Sequence, residues 1–73
     1  MFVRNRLKEL RARNNLNQTE LAKKAGISRQ TVSLIERGEY LPSILIALKI
    51  ARIFGEPVDN VFSIEEETEY NEQ

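Results

Sequence analysis

Asn17-Gln18-Thr19-Glu20-Leu21-Ala22-Lys23-Lys24-Ala25-Gly26-Ile27-Ser28-Arg29-Gln30-Thr31-Val32-Ser33-Leu34-Ile35-Glu36-Arg37-Gly38 is the stretch that decides the fold of this 73-residue chain. It spells two short helices joined by a tight turn. Asn17 is placed to accept a hydrogen bond from an amide of the first turn. Glu20, three residues on, can accept one in return from the Asn17 backbone, the reciprocal arrangement of a capping box. Leu21, Ala22 and Ala25 then fall on one face. Gly26 supplies the left-handed residue that ends a helix and Ile27 the apolar contact behind it, so the first helix stops at Ala25. Ser28 is a second capping residue, Val32, Ile35 and Glu36 share an inward face, and Gly38 is the second stop. The second helix therefore spans about ten residues.

Packing demands sharpen this pattern. Ala22 is small where one helix crosses close to the other, Gly26 permits a positive φ in the turn, and Val32 fills the angle between the axes. Ala-x-x-x-Gly-x-x-x-x-x-Val is the spacing of a helix-turn-helix. With Val32, Ile35 and Glu36 turned inward, the second helix presents Arg29, Gln30, Ser33 and Arg37 outward, all able to meet base edges or phosphates. An ordinary αα-hairpin would carry only a solvated polar face there. The concentration of donors and acceptors on that one face favours a recognition helix.

Taken with Leu16 and the segments Pro42-Ser43 and Lys49-Ile50-Ala51, these motifs resemble the lambda-repressor-like, Xre-type family of DNA-binding domains over residues 5–62. Residues 28–31, Ser-Arg-Gln-Thr, followed by Glu36-Arg37-Gly38-Glu39-Tyr40, look like its small stand-alone regulators typified by the cytolysin repressor. The resemblance implies an all-α, five-helix lambda-repressor-like DNA-binding domain with a small two-stranded antiparallel sheet from the termini. It also implies a transcriptional repressor that binds a palindromic operator in double-stranded DNA as a homodimer. By the same resemblance Gln18 meets a phosphate at the positive end of its helix. Arg29 and Gln30 reach bases, Ser33 touches a base or a phosphate, and Arg37 holds the backbone. Ser28 and Thr31 complete the DNA-facing set, Thr31 more as a helix-start residue than as a base reader.

Composition narrows the alternatives. One domain is all that 73 residues allow, and a core this small rarely supplies more than about 3–5 kcal/mol, so dimerisation would help. There is no Cys and no His, hence no disulfide framework, no zinc site and no activator for Ser28, Ser33 or Ser43 as nucleophiles. No enzyme activity, metal or cofactor is expected. Glu65, Glu66 and Glu67 are consecutive and do not converge on a cation. Met1-Phe2-Val3 is interrupted by Arg4, too short for a signal or a membrane span, and a cytoplasmic protein is expected. Eleven basic and eleven acidic residues cancel, yet residues 1–38 hold nine Lys/Arg against three Glu, and residues 63–73 hold five Glu and no base. Local potential, not net charge, governs phosphate attraction.

The flanks complete the expectation. Asn5 reads as the N-cap of helix 1, which runs to about Asn14 with Leu7 and Leu10 inward. Arg11 lies one turn after Leu7, as Glu36 lies one turn after Val32, and the two opposite charges suggest a pair. Ser43 caps helix 4, residues 44–54, apolar almost all round and expected at the centre of the core. Leu45 is either a lone exposed leucine or part of a second contact surface. Pro57 fits the first position of a short helix 5, whose Val58, Val61 and Phe62 need cover and form the expected dimer surface. Phe62 to Glu65 alternates as a strand, with Met1 to Arg4 its partner. Residues 1–64 then form the DNA-binding domain and residues 65–73 an acidic tail. The competing function is a protein-interaction module that keeps the fold without binding DNA, favoured by zero net charge, the acidic tail and apolar Leu41.

Overall fold

The computed structural model describes residues 1–66, in the order β1 (Phe2–Asn5), α1 (Leu7–Arg13), α2 (Gln18–Ala25), α3 (Arg29–Glu36), α4 (Ile44–Phe54), α5 (Val58–Val61) and β2 (Phe62–Glu65). Five helices and a two-stranded antiparallel sheet are the expected architecture. β1 pairs β2 with Phe2 opposite Glu65 and Asn5 opposite Phe62, and Arg4 Nη1 reaches Glu65 Oε1 at 3.1 Å. Glu65 is thus the last residue of β2 and not the first of the tail; residues 67–73 of that expected segment lie outside the described residues.

Each helix is bounded by its own sequence. α2 carries the complete capping box: the Asn17 side chain accepts from Glu20 N at 2.8 Å, and the Asn17 backbone N–H donates to Glu20 Oε1 at 2.9 Å. Gly26, at φ 74°, turns the chain back so that Ile27 N–H reaches the Ala22 carbonyl at 3.0 Å. A side chain at that φ would be strained, which is why glycine stands there. Asn15 does the same after α1 at φ 56°, with Leu16 N–H bonded to the Arg11 carbonyl at 2.9 Å. Around Gly38 the Glu39 N–H closes on Leu34 O at 2.9 Å. This wrap places Arg37 at the C-cap, so α3 has eight residues rather than about ten.

Two further boundaries differ from expectation. Asn5 is the final residue of β1, held there opposite Phe62, and Arg6 occupies the N-cap of α1. Asn5 still serves the first turn, since its Oδ1 accepts from Leu7 N at 3.1 Å while its Nδ2 donates to Ile35 O at 2.9 Å. Pro57 is the N-cap of α5 and not its first helical residue; its ψ of 148° is extended, so the helix begins one residue later.

The core joins Leu7 and Leu10 of α1, Leu21, Ala22 and Ala25 of α2, Val32 and Ile35 of α3, and Ile50, Ala51 and Phe54 of α4 with Val61 of α5. Val61 is 1% exposed, so it has no surface to give a partner and leaves the expected dimer set. Val58 and Phe62 are half-buried against the same core. α4 is central only in its second half. Its N-terminal half leaves Ile44, Leu45 and Leu48 at 77%, 63% and 51% exposed, so Leu45 is not a lone exposed leucine.

Arg11 and Glu36 form the expected pair. Nε to Oε2 is 2.6 Å and Nη2 to Oε1 3.1 Å, a two-pronged contact, and the side chains are only 14% and 9% exposed. The third prong, Nη1, donates to the Leu16 carbonyl at 3.2 Å. Removing one member strands the other charge in a largely dry site, a loss of about 3 kcal/mol. Glu36→Ala should therefore melt well below Glu39→Ala, whose carboxylate is exposed; thermal denaturation followed by circular dichroism measures the gap.

Candidate nucleic-acid interface

α3 owes its outward face to what its inward face must bury. Val32 and Ile35 are in the core and Glu36 is held by Arg11, leaving Arg29 and Gln30 exposed on the first turn. The sequence-predicted residues then separate into small groups.

Ser28 and Thr31 are joined at the helix start. Ser28 Oγ accepts from Thr31 N at 3.0 Å and lies 2.8 Å from Thr31 Oγ1. Both hydroxyls are engaged in starting the helix, in keeping with a positioning rather than a reading role. Gln18 and Arg29 are brought together across the turn, with Arg29 Nη1 donating to Gln18 Oε1 at 3.4 Å. Gln18 Nε2 donates to Glu36 Oε1 at 3.0 Å, which links it to the Arg11 pair. Ser33 and Arg37 meet at the other end of the helix, where Arg37 Nη1 donates to Ser33 Oγ at 2.6 Å. Gln30 stands apart: among the described residues its amide makes no hydrogen bond within the chain, leaving its donors and acceptor available.

Apart from the pairing of Arg11 with Glu36, sequence inspection missed the neutralisation of the arginines. Of the six arginines in residues 1–38, five face carboxylates: Arg4 with Glu65, Arg6 with Glu9, Arg11 with Glu36, Arg13 with Glu9 and Glu56, and Arg37 with Glu39. The Arg6 hydrogen bond holds the Glu9 carboxyl below its ordinary range. Among the described residues Arg29 alone of the six has no carboxylate partner, and its contact is to the Gln18 amide. Glu39, two residues after Arg37, was the legible part of this pattern; Glu65 and Glu56 were not, because 61 residues separate the first from Arg4. Among the described residues no His, Cys, Asp or Glu group is gathered for a metal ion, and no helix is long and apolar enough to cross a membrane.

The helix-turn-helix family matches residues 7–61 of the chain. A Bacillus subtilis (strain 168) protein named as the uncharacterized HTH-type transcriptional regulator YgzD is 48% identical over 65 residues, covering 89% of this chain and 98% of its own. The immunity repressor protein of Bacillus phage phi105 is 36% identical over 76 residues, which are 97% of this chain and 53% of the repressor. Among solved structures, the restriction-modification controller protein C.AhdI from Aeromonas hydrophila superposes with a TM-score of 0.70 at 34% identity, over 75% of this chain and 83% of C.AhdI.

The cap geometry separates structural from reading residues by experiment. Ser28→Ala removes the acceptor for Thr31 N and should cost about 1 kcal/mol of stability, read as a lower melting temperature. Its base preference, determined by selection from a random DNA pool, should match that of the unaltered protein.

Proposed function

The chain belongs to the helix-turn-helix family, and on that footing we propose that it is a sequence-specific DNA-binding regulator of transcription, a repressor, acting in the cytoplasm as a homodimer on a palindromic operator. The observation that carries this reading is the first turn of α3, where Arg29 and Gln30 stand exposed and unclaimed by any carboxylate of the described residues. In this class of docking the N-terminal end of the recognition helix enters the major groove. Gln30 offers an acceptor and two donors in one plane, matching adenine N6 and N7, and Arg29 can fork onto guanine. Gln18, Ser33 and Arg37 serve the phosphates on either side, with Ser28 and Thr31 holding the helix start. The DNA-binding unit is residues 1–65, through the end of β2, and acidic residues follow it.

Dimer formation is supported by apolar surface that the monomer leaves uncovered. Ile44, Leu45 and Leu48 are exposed on one half of α4, and Val58 and Phe62 are only half-covered. A monomer has little reason to expose a contiguous apolar patch. Two copies related by a two-fold axis would set their recognition helices about 10 bp apart, one turn of duplex.

A protein-interaction module is the competing reading, and one observation favours it: pairing to carboxylates leaves far less free positive charge than the sequence suggests. Retention on a DNA resin at low salt separates the two, since a module that only binds proteins passes through.

Two measurements test the regulator reading. Gln30→Ala should lose about 1–3 kcal/mol on the preferred site and relax the choice at one base per half-site, measured on matched and singly substituted duplexes. Sedimentation at micromolar concentration should give a dimer and footprinting a two-fold symmetric site; a monomer on single half-sites would contradict the proposal.

A further inference from the structure

Leu45, Leu48, Lys49 and Arg52 are spaced i, i+3, i+4 and i+7 on α4, so they stand in one stripe along the helix. All four are exposed. The stripe is divided: Leu45 and Leu48 leave apolar surface bare in its first half, and Lys49 and Arg52 set two cations in its second. α4 carries no other charge, and among the described residues neither cation has a carboxylate partner. Apolar surface beside unpaired cations fits one kind of occupant, an acidic segment with an apolar anchor. The chain contains such a segment. Residues 66–73, which follow β2, read Glu66-Glu67-Thr68-Glu69-Tyr70-Asn71-Glu72-Gln73: four carboxylates, no base, and one aromatic ring between Glu69 and Glu72.

We propose that in the homodimer this acidic segment of one protomer lies along the α4 stripe of the other, with Tyr70 over Leu45 and Leu48 and the glutamates on Lys49 and Arg52. The proposal rests on the homodimer reading above and deepens it. That reading draws its surface from the start of α4 together with Val58 and Phe62, and Phe62 is the first residue of β2. The strand that leads to the acidic segment therefore starts within the same patch as the stripe, and a two-fold axis sets each patch against its counterpart. Length allows the contact. From Leu45 to Arg52 the stripe runs about 10 Å at the helical rise, whereas Glu66 to Glu72 extends to roughly 20 Å. Each contact between a glutamate and an exposed cation is weak alone. Once two copies have met, the tethered segment is held at high effective concentration, and the contacts reinforce the pairing. The exchange is reciprocal, so it closes at two copies.

The test measures the dimer Kd of the full chain by sedimentation, without DNA, at low and at high salt, with melting temperatures alongside. Lys49→Glu combined with Arg52→Glu should raise the Kd by roughly tenfold at low salt, and high salt should narrow the gap, because exposed pairs are screened. Replacing Glu66, Glu67, Glu69 and Glu72 by Lys should weaken the dimer to a similar degree. Joined in one chain, the two sets should restore the Kd to within about threefold of the unaltered chain, since the opposed charges have only changed places. Tyr70→Ala should weaken the dimer by roughly fivefold at both salt concentrations, as lost apolar contact is not screened. The Lys49 ammonium lies beside Gly26 at the end of α2, so Arg52→Glu alone, which should raise the Kd by about threefold, keeps the question answerable should the double substitution melt early. A Kd that is the same in all these chains, the result for a segment lying on its own α4 or on none, overturns the proposal and leaves the homodimer standing. Weakening by each charge set without recovery in the combined chain overturns it as well. An unaltered chain that stays monomeric overturns the homodimer reading itself, and this inference with it.

Discussion

The contact between Arg11 and Glu36 holds three helices in one arrangement. Arg11 comes from α1 and Glu36 from α3, and the same carboxylate receives Gln18 from α2. Burying a carboxylate is expensive unless its lone pairs are met. Here the guanidinium meets both oxygens, and the Gln18 amide adds to Oε1. The guanidinium in turn spends its remaining prong on the Leu16 carbonyl, in the connection between α1 and α2. A hydrophobic contact at this position would tolerate sliding and rotation of α3. A forked ion pair has one geometry, and so gives the exposed face of α3 one orientation relative to the body.

Further contacts hold the same end of the helix. The Asn5 amide donates to the Ile35 carbonyl from the end of β1, one residue before Glu36. Gly38 then reverses the chain, and Glu39 holds Arg37 close to the helix end. The last turn of α3 is thus clamped from the sheet, from α1 and from α2, while its first turn, with Ser28 as cap, projects Arg29 and Gln30 outward. Rigid support behind a polar tip suits recognition, because side chains that are already placed lose less freedom on binding.

The charge distribution carries a related lesson. A basic body and an acidic terminus look in sequence like a protein with positive charge to spend on phosphates. In the fold, carboxylates neutralise five of the six arginines in residues 1–38, among them Glu65, brought back beside Arg4 by the antiparallel sheet. Among the described residues, the positive charge of residues 1–38 left without a carboxylate partner is that of Arg29 and of Lys8, Lys23 and Lys24.

What the sequence determined by itself was whatever is encoded within three or four residues. The Asn17 to Glu20 capping box, the stops at Gly26 and Gly38, the caps at Ser28 and Ser43, and the inward spacing of Leu21, Ala22, Ala25, Val32 and Ile35 all stand where local hydrogen bonding and helix periodicity put them. Strand alternation from Phe62 was legible for the same reason. Tertiary structure alone decided the rest. Asn5 was drawn into β1 because Phe62 lies opposite it, and Val61 was taken by the core. In the first half of α4, Ile46 packs against the core while Ile44, Leu45 and Leu48 were left exposed, because the fully buried residues of that helix begin only at Ile50. Gln18 had its amide turned by a carboxylate 18 residues away. No local pattern specifies such partners, since the contacts exist only once separate elements have packed and each polar group has found the neighbour that packing supplies.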